Sequence, residues 1–369
     1  MTLTLTTLNK LKLFGEMNYK NMLDFTNCNI GKVIVHQVGN KTNDEDIILS
    51  KSLLEINDSR LRELLIKYFL YPFSDVEFYS FSFSNEDFKL NPLYQFATSV
   101  FSNQNDFEDV SRSIAKHLYE ISLHPQIKSG DLFLASFSNI ELNGKLVNGF
   151  GIFKSENRQS FLKLNKKSND FVLNYEDGIN IDKLDKGCLV LDIDKENGYQ
   201  VCVIDKSSKS VEAQYWKEGF LNVKPAKDEY HFTKLFLGIT KQFVTKRLPE
   251  DFEVSKTDQI DYLNRSVDYF KKRENFDKEE FEAEVFGDSN IIESFRKFGQ
   301  NYRQENEVEL IDNFEISPQA VKKQSKIFKS VLKLDKNFHI YIHGNRDLIE
   351  QGIDEKGRKY YKIYYEEEI

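Results

Sequence analysis

Residues 131–164 constrain the fold of this chain more than any other stretch, because they hold runs that alternate as β-strands do. The first run, 132–139, places leucine and serine on one face and mainly phenylalanine and alanine on the other. A second run at 146–154 follows the pair Asn143-Gly144, which is favoured in a type I′ turn because both central residues need a positive φ. A third run follows at 160–164. The stretch predicts a three-stranded antiparallel meander, which serves as a scaffold or pairs two subunits.

The composition is that of a folded chain. Hydrophobic residues make up 40% and aromatic residues 14%, among them 31 phenylalanines, which is enough for a sizeable core. No run approaches the roughly 18 apolar residues of a membrane span, and no basic region followed by an apolar block marks a secretory signal. The three cysteines contain no CxxC pair, so neither a disulfide framework nor a zinc ribbon is predicted. We expect a cytoplasmic protein without membrane contact.

The charge balance limits the kinds of partner. The chain has 51 Lys and Arg against 59 Asp and Glu, a formal net charge of −8. A polybasic nucleic-acid binder would be positive overall. This chain therefore contacts DNA only through a local basic patch, or else its partner is another protein.

The order of the predicted elements indicates an α+β fold in two domains, for which 369 residues are sufficient. The N-terminal domain, 1–225, is predicted as a mixed or antiparallel sheet with helices, built on the meander. The C-terminal domain, 226–369, is predicted to be mainly helical and to close with a β-hairpin. Lys224-Pro225 interrupts the pattern between them.

Other elements follow from the same periodicities. In the first domain we predict strands at 32–38, 47–49, 76–83, 171–175, 188–194, 199–205 and 211–215, and helices at 50–71, 93–101 and 107–122. For the first of these helices, a break into two at the polar stretch 57–60 is the alternative. In the second domain we predict helices at 230–248, 257–273, 277–286, 290–298 and 317–334, and a hairpin of 338–343 with 360–365.

The last predicted helix carries the clearest candidate for a binding surface. Ser317 suits the N-cap and Pro318 the first turn, and lysines recur at helical spacing, which lines one face with ammonium groups. The candidate DNA-binding residues are Lys322, Lys323, Lys326, Lys329 and Lys333. Such a row follows phosphates as point charges without reading bases. The alternative is a solvated helix face that only keeps the protein soluble.

A second basic group lies at the end of the predicted helix 230–248. It consists of Lys241, Lys246 and Arg247. Cations at a helix C-terminus complement the helix dipole, so we interpret this group as structural.

Signatures of catalysis and metal binding are weak. Asp192 and Asp194 share one strand face and Asp205 lies on the next strand, an arrangement that holds a divalent cation in some nucleases. The adjacent turn explains these residues more simply. His339 and His343 make only a weak metal signal, and no GxSxG, P-loop, dinucleotide-binding glycine pattern or HExxH occurs. We expect no enzyme activity, no metal and no cofactor.

The order of the elements resembles a bacterial nucleoid-associated protein family of the NdpA type. The similarity begins at 34–38 (IVHQV) and continues through 48–54 (ILSKSLL) and the strands of 131–153. It extends to 230–248, which looks like a family helix with an aromatic residue, a Phe-Leu-Gly step and basic residues, and to 317–365 at the end. The resemblance implies double-stranded DNA as a partner, a place in the nucleoid and DNA topoisomerase as a further partner.

Three functional hypotheses follow. The first is a nucleoid-associated protein that binds double-stranded DNA without sequence preference through phosphate contacts and catalyses nothing. The second is an adaptor for a DNA topoisomerase or a chromosome-organising complex, which the acidic charge favours because much of the surface should repel DNA. The third is a metal-dependent nuclease that uses the three aspartates. A homodimer is compatible with any of them.

Overall fold

The fold is described for most of the chain by a computed structural model, which covers residues 23–74, 77–84, 87–104, 106–206, 215–326, 328, 331–342 and 348–367. The chain divides into two compact units, Met1–Ala226 and Lys227–Ile369. The strands form antiparallel pairs, and helices occur in both units. The predicted α+β class is confirmed.

The first unit is built around one large antiparallel sheet. The strands of this unit are β1 (Leu23–Asp24), β2 (Asn29–Val38), β3 (Ile47–Ile48), β4 (Phe78–Phe81), β5 (Gly130–Leu142), β6 (Lys145–Ser155), β7 (Gln159–Lys167), β8 (Asp170–Gly178), β9 (Lys186–Leu191), β10 (Gln200–Asp205) and β11 (Val223–Pro225), of which β7 and β8 lie outside the large sheet. The sheet order is β11-β4-β10-β9-β6-β5-β2-β3, with β1 also paired to β5. The helices are α1 (Ser59–Leu70), α2 (Pro92–Phe101), α3 (Phe107–Ile121) and a π-helical segment, Tyr215–Leu221.

The predicted hairpin of residues 131–154 is confirmed as β5 and β6. These strands pair from Leu142 opposite Lys145 to Asp131 opposite Ser155. Between them Asn143 and Gly144 have φ values of 52° and 74°, the two positive angles that a type I′ turn requires.

Both faces of this central sheet are buried, because helices cover each of them. Leu132 and Leu134 of β5 contribute to a core with α2 and α3, whereas Phe133 and Phe137 contribute to a core with α1. On the α1 side, the rings of Phe69 and Phe153 stack with centroids 4.4 Å apart. The alternation of the sequence thus reflects two apolar faces rather than one apolar and one polar face.

Gly151 of β6 is required by this crowding. A Cβ at this position would lie 2.2 Å from the Phe153 ring and 3.0 Å from the Phe137 ring. Only glycine leaves room for both rings beside the strand.

The third strand of the predicted meander does not join the sheet. β6 pairs on its second edge with β9, from Gly149 opposite Leu191 to Lys154 opposite Lys186. β7, which contains the predicted run 160–164, pairs instead with β8 in a separate two-stranded ribbon. The prediction of a strand was correct, but its partner was wrong. The predicted strand 211–215 lies outside the described residues except for Tyr215, which begins the π-helical segment.

The predicted helix 50–71 begins later than expected. Asp58 caps α1 by accepting hydrogen bonds from the backbone N–H groups of Arg60 (2.7 Å) and Leu61 (3.2 Å). Ser50, the predicted cap, is engaged elsewhere: its N–H donates to His36 Nδ1 at 3.0 Å and its hydroxyl donates to the carbonyl of Val35. The segment before Asp58 therefore follows β2 instead of forming a first helical turn.

The second unit is a helical bundle with short strand pairs. Its helices are α4 (Glu229–Gln242), the π-helical segment Phe243–Arg247, α5 (Leu248–Asp251), α6 (Lys256–Lys272), α7 (Lys278–Val285), α8 (Ser289–Asn306) and α9 (Pro318–Ser325). Its strands are β12 (Asn275–Asp277), β13 (Asn313–Glu315), β14 (Val331–Leu334), β15 (Phe338–Tyr341), β16 (Ile349–Ile353) and β17 (Lys359–Ile363). β12 pairs with β13, β14 with β15, and β16 with β17.

Phenylalanine rings fill the core of this bundle. Phe236 of α4 lies 4.2 Å from Phe276, measured between ring centroids, and Phe276 stacks on Phe270 at 5.3 Å. Phe281 and Phe295 bring α7 and α8 into the same cluster. Tilted and edge-to-face aromatic pairs of this kind add to the hydrophobic stabilisation.

The predicted closing hairpin was wrong in its pairing. Leu334 of β14 pairs with Phe338 of β15, and Ile353 of β16 pairs with Lys359 of β17. Two hairpins between neighbouring strands therefore replace the single predicted pairing of 338–343 with 360–365.

Candidate nucleic-acid interface

The candidate interface is residues 318–336, which we call the lysine segment. It contains six lysines and one aspartate, Asp335, a net charge of +5 on a chain of −8. The segment begins with α9, whose N-cap Ser317 accepts a hydrogen bond from the Ala320 N–H at 3.4 Å. The Ser317 N–H itself donates to Thr233 Oγ1 of α4 at 3.0 Å. These bonds fix the start of α9 against α4.

Buried residues hold one side of the lysine segment against the bundle. Ala320 and Val321 of α9 are buried, and Val321 and Phe328 belong to the aromatic core of the second unit. Lys322 and Lys323 of α9 are exposed, as is Lys326, the C-cap residue. The helix therefore has an apolar inner side and carries its ammonium groups in solvent.

The predicted single helix 317–334 was wrong beyond its second turn. α9 ends at Ser325, and residues 331–334 form strand β14, where Lys333 lies opposite His339 of β15. The reason is tertiary packing, which buries Leu332 in a small core with Ile260 of α6 while Lys333 stays exposed. Lys329 lies outside the described residues. The lysines do not form one continuous helical row.

Some cations of the second unit are held by carboxylates, whereas the lysines of this segment that the structure describes are not held by any described carboxylate. Lys278 pairs with Asp312 at 2.9 Å, and Arg273 pairs with Glu280 and Glu284, each at 2.8 Å. The structure describes four of the predicted site residues: Lys322, Lys323, Lys326 and Lys333. None of these four forms an ion pair with another described residue. Their charge is therefore available to an anionic ligand.

The second basic group behaves partly as predicted. Arg247 is bound on two sides, with its guanidinium 2.9 Å from Asp251 and 3.5 Å from Glu250. A hydrogen bond from the Ser294 hydroxyl lowers the pKa of Asp251, and Arg247 beside it lowers that pKa further. Asp251 therefore stays ionised and neutralises the Arg247 charge locally.

A groove of about 530 Å³ lies beside this group. Lys246 and Arg247 of the π-helical segment line one side, and Lys297, Phe298 and Tyr302 of α8 line the other. Such π-helical segments often occur at functional sites. The sequence did not reveal the groove, because its two walls are about fifty residues apart and neither carries a distinctive motif.

The three aspartates of the nuclease hypothesis do not form a site. Leu191 pairs with Gln200, so Asp192 lies next to the β9–β10 turn, whereas Asp205 pairs with Lys186 at the far end of the hairpin. Five residue steps of about 3.4 Å separate the two ends. Asp205 also accepts a hydrogen bond from Lys186 Nζ at 2.9 Å. Among the described residues, no group of three or more His, Cys, Asp or Glu side chains is placed to hold a metal ion.

Two further predictions concern a pair of histidines and membrane-spanning helices. His339 lies on β15, but His343 lies outside the described residues, so the suggested pair is not seen. None of the helices in the described ranges is long and apolar enough to cross a membrane.

The fold and the lysine segment together define a class: an acidic α+β protein with a local, exposed lysine surface suited to a polyanion. The chain belongs to the NA37 family, described as nucleoid-associated protein YejK, whose model matches residues 34–358. The match runs from β2 into the loop before β17 and covers nearly the whole chain. It confirms the predicted membership of a nucleoid-associated family. A comparison with curated proteins finds no match.

Proposed function

We propose that this protein binds double-stranded DNA in the nucleoid through phosphate contacts made by the lysine segment. The observation that carries the proposal is a group of exposed lysines, without carboxylate partners among the described residues, on a member of a nucleoid-associated family. Lysine ammonium groups attract phosphates as point charges. Phosphate contacts position a protein on a duplex but carry no base information, so the binding is independent of sequence.

The charge distribution supports a local DNA-facing surface. A chain of −8 that includes a segment of +5 leaves −13 on its remaining residues. A duplex is repelled by most of such a surface and attracted by a local cluster of cations such as the lysine segment. Lys322 and Lys326 are four residues apart at the end of α9, so their Cβ atoms lie about 5–6 Å from each other. Neighbouring charges of this kind engage neighbouring phosphates.

A variant that lacks the lysine charges but keeps every core residue tests this proposal. The site variant changes four exposed lysines to glutamine: Lys322→Gln, Lys323→Gln, Lys326→Gln and Lys333→Gln. We expect Kd for a short duplex to rise by at least about 100-fold at roughly 0.1 M salt, because each lost phosphate contact forfeits counterion release. Fluorescence anisotropy with two duplexes of unrelated sequence measures the effect.

A matched control separates the site from the net charge. The control variant changes four exposed lysines of the first unit to glutamine: Lys51→Gln, Lys89→Gln, Lys145→Gln and Lys195→Gln. Both variants lose the same formal charge. If the site variant binds as tightly as the wild type, or if both variants lose affinity equally, the lysine segment is not the DNA surface.

We propose that binding involves no chemical step. The separation of Asp192 from Asp205 supports this, since the carboxylates suggested for a nuclease lie at opposite ends of one hairpin. Plasmid and linear DNA incubated with the protein and Mg²⁺ or Mn²⁺ should remain uncut. Metal-dependent cleavage that survives further purification would contradict the proposal.

A DNA topoisomerase partner, implied by the family resemblance, stays a prediction. A pull-down with the site variant after nuclease treatment tests it, because a direct protein partner is retained when no DNA links the two. Loss of topoisomerase from the pull-down under these conditions would assign any association to shared DNA.

A further inference from the structure

The ribbon of β7 and β8 leaves a large apolar surface in solvent. Its nine residue pairs run from Gln159 opposite Gly178 to Lys167 opposite Asp170, and in the described part of the chain these strands pair only with each other. An isolated two-stranded ribbon is marginal in water unless its face packs on something. We therefore expect the ribbon to pack against a partner surface.

One face of the ribbon carries five of its seven apolar side chains. In the register, Leu162 lies opposite Tyr175 and Leu164 opposite Leu173, and Phe171 follows near the tip. The exposed fractions of the five side chains are 77% for Leu162, 62% for Leu164, 66% for Phe171, 60% for Leu173 and 69% for Tyr175. Clustered exposed apolar side chains on this scale mark an interaction site.

The opposite face of the ribbon is polar. Lys163 Nζ lies 2.6 Å from Glu176 Oε1 across the two strands, and Asn165 and Asn174 are exposed beside them. Phe161 and Val172 are the larger apolar side chains on this face and are less exposed than those on the apolar face. The ribbon is thus amphipathic, and the apolar face carries most of its exposed apolar surface.

The charges on the apolar face indicate what covers it. Asp177 lies at the base of that face, beside Ser160, whose hydroxyl donates to Asp177 Oδ1 at 2.6 Å. Lys166 lies at the tip, opposite Phe171. If two copies stack face to face in antiparallel orientation, each Lys166 meets the Ser160–Asp177 pair of the other copy. A two-fold interface requires this self-complementarity.

We propose that the apolar face of the β7–β8 ribbon packs against the same face of a second copy and forms a two-fold homodimer. The leucines and aromatic rings make the centre, and Lys166 and Asp177 form an ion pair at each end. DNA and anionic membranes do not fit this face, because the ribbon's three lysines are balanced by two aspartates and one glutamate. The proposal is independent of the DNA-binding proposal.

Sedimentation velocity on the full chain tests the dimer. We expect a dimer for the wild type, a monomer for the Leu162→Lys, Leu173→Lys variant, and a dimer for the control Asn165→Lys, Asn174→Lys, which adds the same charges to the polar face. All four positions are exposed, so circular dichroism should show that both variants remain folded. A monomeric wild type, or a dimer that survives the leucine changes, would overturn the proposal.

A charge exchange tests the antiparallel arrangement. Lys166→Asp alone, or Asp177→Lys alone, places like charges together at both ends of the interface, and we expect self-association to weaken by about tenfold or more. The double variant Lys166→Asp, Asp177→Lys restores opposite charges and should regain wild-type association. If the double variant associates no better than the single variants, the proposed pairing is wrong.

Discussion

His36 is a buried residue with a defined protonation state. It is 2% exposed, and its Nδ1 accepts the Ser50 N–H at 3.0 Å. Its Nε2 lies 3.0 Å from Ser111 Oγ, and that hydroxyl donates to the Glu108 carbonyl at 2.7 Å. Nε2 therefore carries the proton and donates to Ser111. Burial lowers the pKa of His36 to about 4, and nearby Arg112 adds to this effect.

This histidine predicts a pH dependence of stability. Between pH 6.5 and about 4 the unfolded state binds a proton that the folded state does not, so the free energy of unfolding falls as the pH is lowered through this window. The fall attributable to His36 is about 3 kcal/mol. Urea denaturation at a series of pH values measures it, with His36→Gln as the variant whose pH dependence should be weaker in this window.

An NMR titration provides the direct check on the residue. The ring resonances of His36 in the folded protein should not titrate until the pH approaches about 4. A midpoint near 6.5, the ordinary value for histidine, would contradict the buried neutral form.

Two glycines in different elements predict opposite effects of the same substitution. Gly144 in the β5–β6 turn has a φ of +74°, which L-residues adopt at a cost, so Gly144→Ala should lower the free energy of unfolding by about 1 kcal/mol. Gly238 lies inside α4 with no atom within 4 Å of an added Cβ, so Gly238→Ala should raise it by about 0.5–1 kcal/mol. Thermal and urea unfolding of both variants measure the difference. Destabilisation by both would contradict the helix interior at Gly238.

At the scale of elements, the local sequence pattern correctly predicted helices and hairpins formed by neighbouring residues of the chain. The β5–β6 hairpin followed from Asn143-Gly144 and strand alternation, and the helix at 107–122 followed from its apolar stripe. The partner of β7 did not follow, because an alternating run specifies a strand but not which edge it joins. α9 was predicted too long, because lysine spacing fits a helix while Leu332 is placed by packing against α6 and β16.

At the scale of the molecule, the sequence indicated a local basic surface on an acidic chain. The lysines of the lysine segment that the structure describes are exposed. It could not indicate their arrangement, since the break between α9 and β14 depends on tertiary packing. The groove beside the π-helical segment and the apolar face of the β7–β8 ribbon were both missed. The groove forms between residues that are distant in the sequence. The apolar face is exposed because β7 and β8 do not join the large sheet.

The salt dependence of DNA affinity is the sharpest test of binding through the lysine segment. If the five lysines predicted from the sequence each neutralise one phosphate, the logarithm of the binding constant should fall with the logarithm of salt concentration with a slope of about −4.5. The variant with glutamine at 322, 323, 326 and 333 should give a slope of about −0.9, while the four-lysine control of the first unit keeps the wild-type slope. A wild-type slope near zero, or equal slopes for the wild type and the site variant, would contradict DNA binding through the lysine segment.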